Sequence, residues 1–184
     1  VQNLVNIKRQ ESYSGMIAQG MTFVNAAGGI DLSVGSLLAL SGVLSILGMN
    51  ALPVSPEWAA VIAGVIAAGV GAVGGTANGL LVSVGKIPPF IATLGTMVIF
   101  RSLTLYFADS GLVSTENEVF RTIGDASFAC LPLPVWALLA LTLLLSVLLF
   151  MTRFGRHVCA VGSNERVARY SGIRTGLVKY GTYL

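Results

Sequence analysis

The chain has 184 residues, 54% of them hydrophobic and only 10% charged, with a formal net charge of +3. A soluble domain carries about 25% charged residues, so this composition cannot cover a water-facing surface. The mean hydropathy of +0.81 fits an all-α polytopic membrane protein instead, and the positive charge is no footprint of nucleic acid, because the basic residues gather where membrane topology accounts for them.

In chain order, apolar segments fall at Tyr13–Ala27, Leu37–Leu52, Trp58–Val84, Phe90–Phe107 and Val135–Met151, which predicts about five transmembrane helices. The uncharged runs Trp58–Gly85 and Ala126–Thr152 each exceed the about 20 residues needed to cross a hydrocarbon core. Breakers separate the segments: Gly28-Gly29, Pro53 with Pro56, Gly85-Lys86 with Pro88-Pro89, and Pro132 with Pro134. Proline suits a helix entry, where its missing N–H costs nothing. The first two segments are short, which suits a broken or re-entrant pair.

Between those two lies G28-G-I-D-L-S-V-G-S36, in which Asp31 is the only charge between Glu11 and Glu57. A lone acid at membrane depth reads either as a proton or ion ligand or as a helix cap, since Asp31 or Ser33 stands just ahead of the apolar run Leu37–Leu40. An unpaired Asp at the bilayer centre costs about 2.5–3.5 kcal/mol. The favoured expectation is therefore a cap fixing a helix break beside the pathway. Gly29, Asp31, Ser33, Asn78 and Thr93 are the helix-break and pathway candidates, with interhelical hydrogen bonding the default for Asn78 and Thr93.

The Trp58–Val84 segment contains Gly75-x-x-x-Gly79, a spacing that lets helix backbones approach closely. Arg101 lies about two thirds along its segment and is expected to snorkel or pair. His157 is the single histidine, so no histidine metal cluster is expected. Neither a nucleophile motif nor a phosphate-cradling glycine loop occurs, so no catalytic residue is assigned. Cys130 and Cys159 fall on opposite sides of the most apolar segment, and no bond between them is expected.

Orientation follows from charge. Six Lys/Arg against one acid lie in Arg153–Lys179, whereas Asp109–Pro134 has four acids and one Arg. The positive-inside rule places the first region in the cytoplasm and the second outside. Counting back puts Lys86 inside, Pro53–Glu57 outside, Gly28–Ser36 on the inner side and the N-terminus outside, against the pull of Lys8 and Arg9.

The segment R153-F-G-R-H-V-C-A-V-G-S-N-E-R-V-A-R-Y-S-G-I173 is predicted to contain a two-turn helix over Asn164–Ser171. Ser163 or Asn164 caps its start, Glu165 meets the positive end of its dipole, and Gly172 supplies the residue after its end. A helix this short needs a partner to be stable. An ordinary basic loop is the alternative.

Together, G29-I-D-L-S-V-G-S36, N78-G-L-L-V-x-x-G-K-I-P-P-F-I-A-T-L-G-T-M97 with Arg101, and G155-R-x-x-x-A160-x-G-x-N-E-x-x-A-R-x-S-G-I173 resemble the permease subunits of bacterial ABC importers for monosaccharides of the ribose/galactose/xylose type. The resemblance covers nearly the whole chain. It implies a permease of about ten spans, of which residues 1–184 resemble spans two to six, with the first span and the last four missing, so that the chain reads as a fragment. It also implies a bacterial inner-membrane location among lipid and three protein partners: a cytoplasmic ATPase, a periplasmic sugar-binding protein and a second permease copy. The chain itself would bind no cofactor or metal and would not be an enzyme, with ATP and magnesium held by the ATPase.

Within residues 153–174, the resemblance assigns ATPase coupling to Asn164, Glu165, Ala168, Arg169, Ser171, Gly172 and Ile173, with Gly155, Arg156, Ala160 and Gly162 shaping the approach. Ser163 and Tyr170 stand where relatives often have Gly and Leu. The alternatives are a permease for an autoinducer or branched-chain amino acid, an ion-coupled secondary transporter, and a non-transporting membrane scaffold.

Overall fold

The computed structural model describes residues 2–128 and 131–184, and these are almost entirely helical. The helices are α1 (Gln2–Ala26), α2 (Val34–Ala51), α3 (Pro56–Ser83), α4 (Pro89–Phe107), α5 (Glu118–Asp125), α6 (Leu133–Met151), α7 (Arg153–Ser163), α8 (Glu165–Tyr170) and α9 (Thr175–Tyr183). A two-residue antiparallel pair, β1 (Ser127–Phe128) and β2 (Leu131–Pro132), precedes α6. Cys130 lies outside the described residues, and Cys159 is a free, exposed thiol on α7.

Among the described residues, four helices, α2, α3, α4 and α6, are long and apolar enough to cross a membrane. Proline opens α3, α4 and α6 as expected, at the first or second helical position. Only 6% of the α6 stretch is buried within the chain, and Leu139, Leu143, Leu144 and Phe150 lie exposed along it. Such a surface needs lipid or further helices against it. The helix expected over Tyr13–Ala27 is longer than its apolar part. It begins at Gln2 and carries Lys8, Arg9 and Glu11, so it has the length of a span without the composition of one.

The chain divides into two compact units, residues 1–29 with 121–178 and residues 30–120 with 179–184. In the first, α1 packs on α6 and on α7. Its core holds Ala27, Val158, Val161, Ala168 and Val178, with Leu149, Phe154 and Ile173 against it. The expectation for residues 153–174 is a two-turn helix over Asn164–Ser171, and the structure adds α7 ahead of it. Thr152 Oγ1 caps it by accepting the Gly155 N–H at 3.3 Å, and Phe154, Val158 and Val161 recur at helical spacing on its buried side.

In the second unit, α2 packs on α3 and α4, and Met49, Ala59 and Ala63 form an apolar cluster. At one end, the Asn50 amide donates to the Ser114 carbonyl at 3.0 Å and the Asn117 amide to the Pro56 carbonyl at 3.0 Å. The segments around Pro53–Glu57 and Asp109–Asn117, both assigned to the outer side by charge, therefore meet at the same end of this unit.

Candidate functional site

Two features stand out: a polar joint ahead of α2 and a capped helix after α7. The joint begins where α1 stops. Gly28 has φ +77°, the left-handed conformation that glycine adopts without penalty. Its N–H donates to the Asn25 carbonyl at 2.9 Å, and the Gly29 N–H donates to that of Val24 at 2.9 Å. These are the two bonds of a Schellman ending.

From there the chain enters a buried polar network. Asp31 Oδ1 accepts from the Ser33 N–H at 2.8 Å and from Ser33 Oγ at 2.7 Å. Ser33 Oγ accepts from Asn78 Nδ2 at 2.7 Å, and Asn78 Oδ1 accepts from Thr96 Oγ1 at 2.7 Å. Thr93 Oγ1 donates to the Pro89 carbonyl at 2.8 Å and lies 3.4 Å from that of Ile30. Ser33, Asn78 and Thr93 are fully buried, and Asp31 nearly so. Four of the five helix-break candidates thus converge in one cluster, with Gly29 leading into it.

The capping expectation needs correction. Ser33 occupies the N-cap position of α2, but its backbone is helical and its side chain makes no capping bond. Its hydroxyl donates to Asp31 and accepts from Asn78, and no N–H group of α2 bonds to it. Asp31 stands two residues before the cap and accepts from the N–H and hydroxyl of Ser33, closing a turn instead. The cluster satisfies its hydrogen bonds internally, tying the start of α2 to α3 and α4. Thr96 and the Ile30 carbonyl were not identified from sequence. The spacing of Thr93 and Thr96, which share a helix face, is the signal that marks Thr96.

Small residues bring backbones together around these elements. A Cβ on Gly75 would overlap the Tyr183 carbonyl, and one on Gly79 would lie 2.9 Å from Tyr180 Cδ2, so the Gly75-x-x-x-Gly79 surface receives the end of α9. A Cβ on Gly155 would overlap the Leu149 carbonyl, and one on Gly162 the Ala26 carbonyl. Arg101 is exposed on α4.

The α8 helix has both predicted ends. Asn164 Oδ1 accepts from the N–H groups of Arg166 at 3.0 Å and Val167 at 3.1 Å. Gly172 has φ +84°, its N–H donates to the Arg169 carbonyl at 3.1 Å, and the Ile173 N–H donates to that of Ala168 at 3.1 Å. This is a second Schellman ending, with Ile173 and Ala168 both packed in the core. Glu165 and Arg169 pair at 3.0 Å, one turn apart. Ala168 faces inward, while Val167 is 59% and Tyr170 92% exposed. Beside Tyr170 lies a depression of about 460 Å³ lined with Glu165, Arg166 and Arg169. Arg156, Ser163 and Ser171 are exposed, and Ala160 packs against the core. The resulting surface is a rigid, basic helix with two apolar side chains in the open, suited to a protein partner. Among the described residues no group of acids, cysteines and histidine is placed to hold a metal.

These features define a multi-span helical membrane protein with a structured extramembrane helix. The family model described as the branched-chain amino acid transport system permease component matches residues 3–184, and the chain belongs to this family. It is 44% identical over 98% of its length to the ribose import permease protein RbsC of Bacillus subtilis, covering 55% of that protein. It is 41% identical over 93% of its length to the D-allose transport system permease protein AlsC of Escherichia coli K12, covering 51%. Against the L-arabinose transport system permease protein AraH of the same strain it is 38% identical over 88%, covering 48%. The chain spans about half the length of the curated relatives it matches. No solved structure matches it.

Proposed function

We propose that this chain is part of the permease subunit of an ATP-driven importer that moves a monosaccharide across the bacterial inner membrane. It binds no cofactor itself and is not an enzyme, with ATP and magnesium held by a separate cytoplasmic ATPase. A periplasmic sugar-binding protein delivers substrate, and a second permease copy completes the pathway within the lipid. Three relatives named for import or transport of ribose, allose and arabinose support the substrate class.

The observation that carries the mechanism is α8. Six basic residues against one acid put Arg153–Lys179 on the cytoplasmic side. There the helix, capped by Asn164 and Gly172 and anchored through Ala168, presents Arg166, Val167, Arg169 and Tyr170 to the ATPase. A short helix fixed at both ends moves as a body, so closure of the ATPase reaches the spans as a displacement. A loop without caps would absorb it.

Arg169→Glu in the full-length permease, reconstituted with the ATPase and binding protein, tests this. Membrane insertion is expected to persist while sugar uptake and transport-stimulated ATP hydrolysis are lost. Unchanged uptake and stimulation would remove α8 from the coupling role.

A further inference from the structure

We propose that the joint between α1 and α2, residues 26–33, is the element that α8 displaces, and that Tyr183 is the positioning residue tying α9 to it. This inference rests on the importer reading above.

Two helices flank α8 in sequence, and each ends on the joint. On the N-terminal side, the last turn of α7 meets the last turn of α1 backbone to backbone. A Cβ on Gly162 would overlap the Ala26 carbonyl, and one on Gly28 would lie 3.7 Å from the Gly162 Cα and carbonyl oxygen. On the C-terminal side, Val178 of α9 shares a core with Ala168 of α8. Further along the same helix, Tyr180 and Tyr183 lie on Gly79 and Gly75 of α3. The Tyr183 hydroxyl donates to the Ile30 carbonyl at 3.3 Å.

Contacts of this kind transmit displacement. Backbone packed on glycine has no side-chain rotamer that can turn to take up a shift, and a nine-residue helix is a stiff rod of about 13 Å. A push on α8 therefore arrives at Ala26–Gly28 through α7 and at Ile30 through α9. Ile30 directly precedes Asp31, whose bonds run through Ser33 to Asn78 and Thr96. Displacing it carries the start of α2 with the network that holds α3 and α4.

The test uses the complete transporter, with full-length permease, ATPase and binding protein, in proteoliposomes. D-Ribose, D-allose and L-arabinose serve as probes, and the readout is ATP hydrolysed per sugar imported. Tyr183→Phe leaves the backbone carbonyl of residue 183 on Gly75 and removes only the hydroxyl that reaches Ile30. The ratio is expected to rise about fivefold, the scale of one lost hydrogen bond expressed as coupling. Tyr180→Phe, whose hydroxyl sits 3.4 Å from Thr76 Oγ1 and not at the joint, is expected to leave the ratio unchanged. Gly162→Ala is expected to raise it. If that variant fails to reach the membrane, the two tyrosine variants still decide. A wild-type ratio in Tyr183→Phe, or an equal rise in Tyr180→Phe, overturns the proposal. Loss of stimulation in Arg169→Glu beside an unchanged Tyr183→Phe overturns this inference alone and leaves the importer reading standing. An unaffected Arg169→Glu, or a wild type without ATP-driven uptake of any probe, overturns both.

Discussion

Replacing Asn78 separates hydrogen bonding from packing at the joint. Its amide is fully buried, donating to Ser33 Oγ at 2.7 Å and accepting from Thr96 Oγ1 at 2.7 Å. Asn78→Ala removes both bonds but orphans neither partner. Ser33 still donates to Asp31, and Thr96 Oγ1 has the Ala92 and Thr93 carbonyls at 3.2 Å. Two interhelical hydrogen bonds at about 0.6–1.7 kcal/mol each give a loss of about 1–3 kcal/mol. Asn78→Asp keeps the shape and is expected to cost more. One carboxylate oxygen can still receive Thr96, but the other faces Ser33 Oγ, whose single proton is committed to Asp31. A buried charge facing a lone pair, close to a second carboxylate, costs about 3 kcal/mol or more. The assay is unfolding of the full-length permease in mixed micelles, following the transition midpoint. An isosteric Asp as stable as the wild type, or more stable than Ala, would refute the donor assignment and with it the closed network.

Substitutions at three further positions address the segment after α6. Asn164→Ala removes the oxygen that accepts two N–H groups and is expected to destabilise α8 by about 1 kcal/mol, seen as faster amide exchange at Arg166 and Val167. Gly172→Ala has open space for its methyl but forces a side chain into φ +84°, so about 1 kcal/mol is expected from backbone conformation alone; Gly172→Asn should recover part of that loss. Gly155→Ala overlaps the Leu149 carbonyl, and limited proteolysis between α6 and α7 is expected to accelerate.

What the sequence disclosed followed from rules acting within a few residues. Pro56, Pro89 and Pro134 marked helix entries because the proline ring fixes φ wherever it sits. Asn164 and Gly172 marked both ends of α8 for equally local reasons. The α7 helix was hidden because Arg153, Arg156 and His157 read as a basic loop, although Phe154, Val158 and Val161 carry the helical period. Asp31 was correctly placed at a helix break, but its partner was not legible. Ser33 has a helical backbone and makes no cap, and its hydroxyl instead meets Asn78, which is 45 residues away. The pairing of Tyr183 with Ile30 spans 153 residues, beyond the reach of any local pattern. The expected fifth span fell short of membrane composition because Lys8, Arg9 and Glu11 lie on the same continuous helix as the apolar stretch.

The central claim is that α8 meets an ATPase, and a photo-crosslinker in place of Tyr170 tests it most directly. With benzoylphenylalanine at this position in the full-length permease, irradiation of membranes containing the complete transporter is expected to give a permease–ATPase adduct. The adduct should vanish in the Arg169→Glu background, and a crosslinker at Trp58, on the opposite side by charge, should give none. Adducts to lipid alone from position 170, or an ATPase adduct from position 58, would contradict the account.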